Sequence, residues 1–343
     1  RGWDPELWRR IGAEMGWPAV IVPEAYGGLG LGYVELAALM EEMGAALLCS
    51  PFFSTVCLAA NLLLLGGSEE QKQRYLPALA AGELTATVAL TEAPGRWDAE
   101  GVQALVSPSG DGFKLEGTKT YVTDGHTADL LLVAARAPGT SGEQGVSWLC
   151  VPADAPGLKR RALVTMDQTR RQAELSFEGL GLAAGDLVGE QGGGWELAAR
   201  VLDLAAVALS AEQVGGARRC LEMAVEYAKE RRQFGRPIGG FQAVKHKCAD
   251  MMVEVESARS ASYYAAWTAS AWGGELPTLA SLAKSYCSEA YFNCAAEALQ
   301  IHGGVGFTWE YDVHLYFKRA QSSETLLGDA AYHRELLARR VGI

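Results

Sequence analysis

The residues able to do chemistry fall in a few short stretches. AQSSETLLGDAAYHRE (320–335) sets two acidic side chains, Glu324 and Asp329, on either side of a Leu-Leu-Gly turn. A carboxylate there, ionised at neutral pH and strengthened by burial, has the chemistry of a proton acceptor. LTEAPGRWD (90–98) and KTYVTDG (119–125) place hydroxyls and an aromatic at strand ends, with Thr91 read as a hydroxyl at an exposed end. ERRQFGRPIGGFQ (230–242) gathers arginines around a Phe and a Gln, and QIHGGVGF (300–307) breaks a helix at paired glycines. Arginines pair a diphosphate, and the backbone N–H groups of a Gly-rich turn approach one closely.

Other chemistries lack their residues. No G-x-G-x-x-G leaves a strand to open a helix, and neither a P-loop nor metal-ligand spacing is present. His126, His246, His302, His314 and His333 are isolated in sequence and read as surface or satisfied core histidines. The 7 cysteines form no CxxC pair, which suits small buried residues in a reducing compartment better than a disulfide framework or a zinc site. A net charge of −11 without a Lys/Arg block argues against nucleic acid. No apolar run suits a membrane span or a signal segment, so a cytoplasmic protein without membrane insertion is expected.

The elements that must position these stretches follow from periodicity. Residues 1–84 read as helices, with Leu7, Ile11 and Met15 on one face of the first and the Pro/Gly-rich VPEAYGGLGLG interrupting them. Residues 85–190 are short Val-, Thr- and aromatic-rich runs between turns such as SPSGDG, which predicts an antiparallel β domain. From 191 to 343 the pattern is helical again, with Leu221, Ala224, Val225 and Ala228 on one stripe, and predicts an antiparallel four-helix bundle. The Ala/Ser run at 258–270 suits a wide pocket or close helix packing, with the packing favoured. The fold class expected is α+β.

This order of parts, with LTEA, KTYVT, ERRQFGRPIGGFQ, QIHGGVGF and the early PEAYGGLGLG, resembles the acyl-CoA dehydrogenase family along essentially the whole chain. The resemblance implies a non-covalent FAD held between the β domain and the bundle. Ala89, Leu90, Thr91, Tyr121, Val122 and Thr123 match positions facing the isoalloxazine. Arg231, Phe234, Gln242, Gln300, Ile301, Gly303 and Gly304 match positions that hold the diphosphate and adenosine half, partly across a subunit boundary. It further implies an acyl-CoA substrate, an electron-transfer flavoprotein as electron acceptor, and a place in lipid metabolism and fatty acid β-oxidation. A homodimer or homotetramer is implied, or a heterotetramer with a second acyl-CoA dehydrogenase-like subunit.

The family's chemistry is α,β-dehydrogenation: a carboxylate takes the α-proton, and a backbone N–H in the near-C-terminal segment stabilises the enolate-like oxygen. The positions that carry this carboxylate in the family fall here on Leu327 and Ala205, with Ala206 beside the latter. Trp97 precedes Asp98 where the family usually has Ser. Three expectations follow. Glu324, one helical turn before Leu327, or else Asp203 or Glu212, has taken over as base. Alternatively, the chain is the base-lacking subunit of a heteromer. In the third, it binds flavin or acyl-CoA without catalysis.

Overall fold

The computed structural model describes residues 2–271 and 273–343. In chain order the elements are α1 (Pro5–Ala13), α2 (Tyr33–Ala45), a π-helical stretch Phe53–Ala60 that runs into α3 (Asn61–Gly66), and α4 (Glu69–Ala80). The strands are β1 (Ala86–Ala89), β2 (Leu105–Ser109), β3 (Gly112–Thr123), β4 (Leu130–Arg136), β5 (Val146–Pro152), β6 (Leu158–Ala162), β7 (Gln172–Ala183) and β8 (Leu187–Val188). Then come α5 (Gly194–Glu230), a ribbon of β9 (Arg232–Gln233) and β10 (Arg236–Pro237), α6 (Gln242–Ser270), α7 (Leu276–His302), α8 (Val313–Thr325) and α9 (Ala330–Arg340). Contact density groups them into two compact units: Arg1–Leu31, Cys49–Thr165 and Arg170–Ala205 form one, and Gly32–Leu48, Met166–Thr169 and Ala206–Ile343 the other.

In the first unit, Asp4 caps α1 by accepting the N–H groups of Glu6 and Leu7, and Pro5 follows where its missing N–H is harmless. Met15 does not share one helix face with Leu7 and Ile11 as expected. The helix stops at Ala13, Gly16 turns left-handed (φ 65°), and Met15 is exposed while Trp8 and Ile11 are buried. The sheet runs β6-β7-β3-β2-β4-β5-β8, with β1 beside β4. It is mixed rather than purely antiparallel, because β1 and β4 run parallel, Ala86 opposite Leu130 through Ala89 opposite Val133. Parallel neighbours need a long crossover, and the excursion through β2 and β3 supplies it. Every residue of β4 is buried, as a strand covered on both faces requires.

In the second unit, α2 and α5 cross at glycines. A Cβ on Gly44 would lie 2.0 Å from the Glu212 carbonyl oxygen, and one on Gly215 would lie 1.8 Å from that of Glu41. Only bare backbone lets helices approach so closely. α6 and α7 pack antiparallel: the Cys287 thiol reaches the Ala258 carbonyl at 3.4 Å, and Cys294 reaches that of Met251 at 3.8 Å. Ala258, Ser262, Ala265 and Ala269 are all buried in α6. The four long helices expected are instead three long ones, α5 to α7, followed by the shorter α8 and α9. Among the described residues no helix is long and apolar enough to cross a membrane.

Candidate active site

In the first unit, β1 ends beside the end of β3. Lys119 on β3 is fully buried, and its Nζ donates to the Leu90 carbonyl (2.9 Å) and to Glu92 Oε1 (2.7 Å). The same Glu92 oxygen accepts the N–H groups of Gln103 and Ala104, both at 2.8 Å. Burial pushes the Lys119 ammonium down to about 8, against the pull of Glu92. Thr91 corrects the sequence reading. Its hydroxyl is buried and donates to the Thr120 carbonyl at 2.7 Å, so it locks the two segments together instead of standing exposed. Ala89, Leu90, Val122 and Thr123 are buried as well.

Tyr121 is different. The pairing of β3 with β7 shifts register between Lys119 and Val122, a bulge that leaves Tyr121 at φ 58° and 43% exposed. Bulges re-aim side chains in this way beside functional sites. Asp124, also left-handed at φ 55°, accepts the Ser54 hydroxyl at 2.8 Å. Asp98 accepts the Gly101 N–H at 3.1 Å and pairs with Arg96, so beyond Trp97 it caps a short helical turn. Ala205, which the sequence resemblance aligns with one position for the base, is fully buried, and Asp203 is buried near it in α5.

In the second unit, the ends of α5 and α7 meet. Tyr227 stacks on His302 with centroids 4.3 Å apart, which brings the 230–242 and 300–307 segments together. β9 pairs with β10, Gln233 opposite Arg236, so Phe234 and Gly235 form a two-residue turn with φ 52° and 77°. Two positive φ values suit a type I′ turn but strain a phenylalanine. That ring is also 92% exposed. Arg231, Gln242, Gln300, Gly303 and Gly304 are exposed and Ile301 is buried. A Cβ added at Gly303 or Gly304 would meet no atom. Exposed guanidinium and amide donors beside open glycine backbone make a donor set suited to a phosphate-bearing ligand such as FAD.

The turn from α8 to α9 is the best-defined part of this unit. Leu326 follows α8, Leu327 and Gly328 take φ 66° and 101°, and Asp329 caps α9 by accepting the Tyr332 N–H at 2.7 Å. Its carbonyls are held from outside. Gln213 Nε2 donates to the Ser323 carbonyl (3.1 Å), Lys284 Nζ to those of Glu324 and Gly328 (both 3.0 Å), and His333 Nε2 to that of Leu327 (3.0 Å). Burial, aided by the Lys284 charge, pushes His333 down to about 3, so the ring is neutral and carries its proton on the nitrogen that donates. Leu327 is 2% exposed, yet among the described residues its N–H has no acceptor.

Carboxylates near this turn are committed elsewhere. Glu324 is half-buried, and its Oε2 accepts Gln321 Nε2 at 3.1 Å along its own helix. Glu212 pairs with the buried Arg319 at 2.9 Å, and the same guanidinium reaches Asp167 at 3.1 Å and Thr169 Oγ1 at 2.8 Å. Burial opposes that charge, but Glu212 and Asp167 outweigh it and raise the Arg319 pKa.

Sequence reasoning missed the buried lysines 119 and 284, the residues that hold the strand end and the turn. A signal was present for Lys284, which sits among Ala280, Ala283 and Cys287 on the buried face of α7.

Helices, then a mixed sheet, then helices, carrying a donor set suited to FAD, fit the class of flavin-dependent oxidoreductases. The comparisons specify it further: the chain belongs to the acyl-CoA dehydrogenase family. The family's N-terminal, middle and C-terminal domains match residues 1–83, 87–180 and 192–342. The acyl-CoA dehydrogenase IpdE2 of Mycobacterium tuberculosis is 37% identical over 99% of this chain and 86% of its own length. Of solved structures, the ChsE4-ChsE5 complex from Mycobacterium tuberculosis superposes with TM-score 0.88 at 32% identity, over 99% of this chain and 88% of that one. PigA with FAD and proline superposes with TM-score 0.93 at 28% identity, over 99% and 90%.

Proposed function

We propose that this chain binds FAD and an acyl-CoA thioester and takes part in α,β-dehydrogenation of the acyl group. The observation that carries this reading is the Leu327 turn. A buried N–H without an acceptor costs about 1–3 kcal/mol, and a left-handed non-glycine residue adds strain of similar order. Both persist here because side chains from α5, α7 and α9 hold the surrounding carbonyls. A thioester oxygen accepting that N–H removes the first cost. As the α-proton leaves, charge develops on this oxygen, and a preorganised donor stabilises it more than it stabilises the ground state.

FAD supplies the acceptor for the β-hydrogen. Tyr121 and the buried Leu90–Thr91 and Val122–Thr123 backbone would face its ring system. Arg231, Phe234, Gln242, Gln300, Ile301, Gly303 and Gly304 would hold its diphosphate and adenosine half, with a second subunit completing the site. Purified protein should be yellow, and acyl-CoA should perturb or bleach the flavin spectrum. A colourless protein that retains no flavin after incubation with FAD and removal of the free cofactor sinks the reading.

The chain's own missing base favours one specific form of it. Leu327 and Ala205 are buried and apolar where the family places the carboxylate, and Glu212 is bound to Arg319. We therefore read the chain as one subunit of a heteromer whose other member carries the base. The similarity to a chain of the ChsE4-ChsE5 complex supports this arrangement. An acyl-CoA dehydrogenase-like protein should co-purify with it. Full turnover by a pure homo-oligomer argues against the heteromer while leaving the flavin and thioester sites standing.

A further inference from the structure

Lys284 lies on α7 with its ammonium fully buried, and among the described residues it makes no ion pair. Its hydrogens go to three neutral oxygens instead: Ser288 Oγ at 2.8 Å and the carbonyls of Glu324 and Gly328, each at 3.0 Å. A buried cation without a carboxylate is expensive, and burial pushes this one down to about 7 against the pull of Glu324, Cys287 and Asp329. The two carbonyls it bridges lie on opposite sides of Leu327. One belongs to the last turn of α8, and the other follows the left-handed pair that leads into α9. Joining them fixes the separation between the end of one helix and the start of the next. Ser288, the third acceptor, also accepts Gln213 Nε2 at 3.0 Å, and that same amide nitrogen donates to the Ser323 carbonyl. The turn is therefore held by one connected network, with the ammonium linking its two halves.

We propose that Lys284 is a positioning residue for thioester binding: by bridging the Glu324 and Gly328 carbonyls it aims the Leu327 N–H at the thioester oxygen. This rests on reading the Leu327 turn as the thioester site. A lysine that only stabilised the fold would affect ligands with and without a carbonyl alike. A positioning lysine acts on the carbonyl.

The test compares butyryl-CoA with S-butyl-CoA, in which CH2 replaces the carbonyl, by calorimetric titration of the FAD-loaded protein with any subunit that co-purifies. Wild type should prefer the thioester by roughly three- to tenfold, the worth of one hydrogen bond. In Lys284→Met the preference should fall below about twofold while S-butyl-CoA affinity stays within about twofold of wild type. Lys284→Gln keeps N–H donors without a buried charge but reaches one atom less, so it should fold where Met does not and lose the preference too. An intact preference in either folded variant, equal weakening of both ligands, or failure of both variants to fold overturns the role of Lys284 and leaves the turn reading standing. A wild type without preference removes the turn reading itself, and the proposal with it.

Discussion

Leu327 combines a left-handed backbone with a buried side chain, and each is a demand the fold has to meet. Its φ of 66° would suit glycine, and its side chain is buried at the position proposed above for the missing carboxylate. Leu327→Glu keeps the backbone and adds the missing group. In the chain purified alone it should raise acyl-CoA turnover by at least about tenfold, part of the 10²–10⁴-fold that a positioned base contributes. No gain would mean that what the chain lacks is not a carboxylate at this position. Glu324 is the rival candidate, but Gln321 holds its carboxylate along α8. Glu324→Gln should therefore change kcat by less than about threefold, where loss of a base would cost 10²-fold or more. A loss of that size would identify Glu324 as the base.

Between helices, Gly328 is what lets α8 turn into α9. Its φ is 101°, and a Cβ there would sit 2.3 Å from Tyr332 Cδ1 on the first turn of α9. Gly328→Ala should lower unfolding free energy by about 1–3 kcal/mol, read from urea melts with an unchanged slope. A neutral result would show that the turn can relax. The glycine was visible in the sequence, and so were the helix break at 303 and the strand-rich middle. Periodicity and glycine are local signals, and local signals are what a single sequence carries. The parallel pairing of β1 with β4 was not visible, because strand partners depend on how an excursion of forty-odd residues closes. Nor was the buried Thr91: a hydroxyl at a strand end reads as exposed until its partner, the Thr120 carbonyl, is known. Phe234 and Tyr121 could be picked out by resemblance, whereas their strained φ values come only from the turn and the bulge that hold them.

For the whole molecule, the buried network around the turn ties function to the pH dependence of stability. His333 titrates near 6.5 when unfolded and about 3 in the native protein, because it is buried and Lys284 bears a charge nearby. As pH falls from 6.5 towards 3 the unfolded chain takes up a proton that the native protein refuses. The contribution is full above 6.5, declines through that window, and is flat below it. One such proton gives a slope of about 1.4 kcal/mol per pH unit. The net charge of −11 acts the other way, since acid relieves its self-repulsion. That background is nearly common to wild type and to His333→Gln, whose amide can still donate to the Leu327 carbonyl but does not titrate. The difference between their urea-melt free energies at pH 7, 6, 5 and 4 isolates the histidine. Wild type should lose stability relative to the variant at each step below pH 6.5. Parallel profiles would mean that His333 takes up its proton in the native protein as readily as in the unfolded chain, and a charged ring beside the Lys284 ammonium is incompatible with the turn described here.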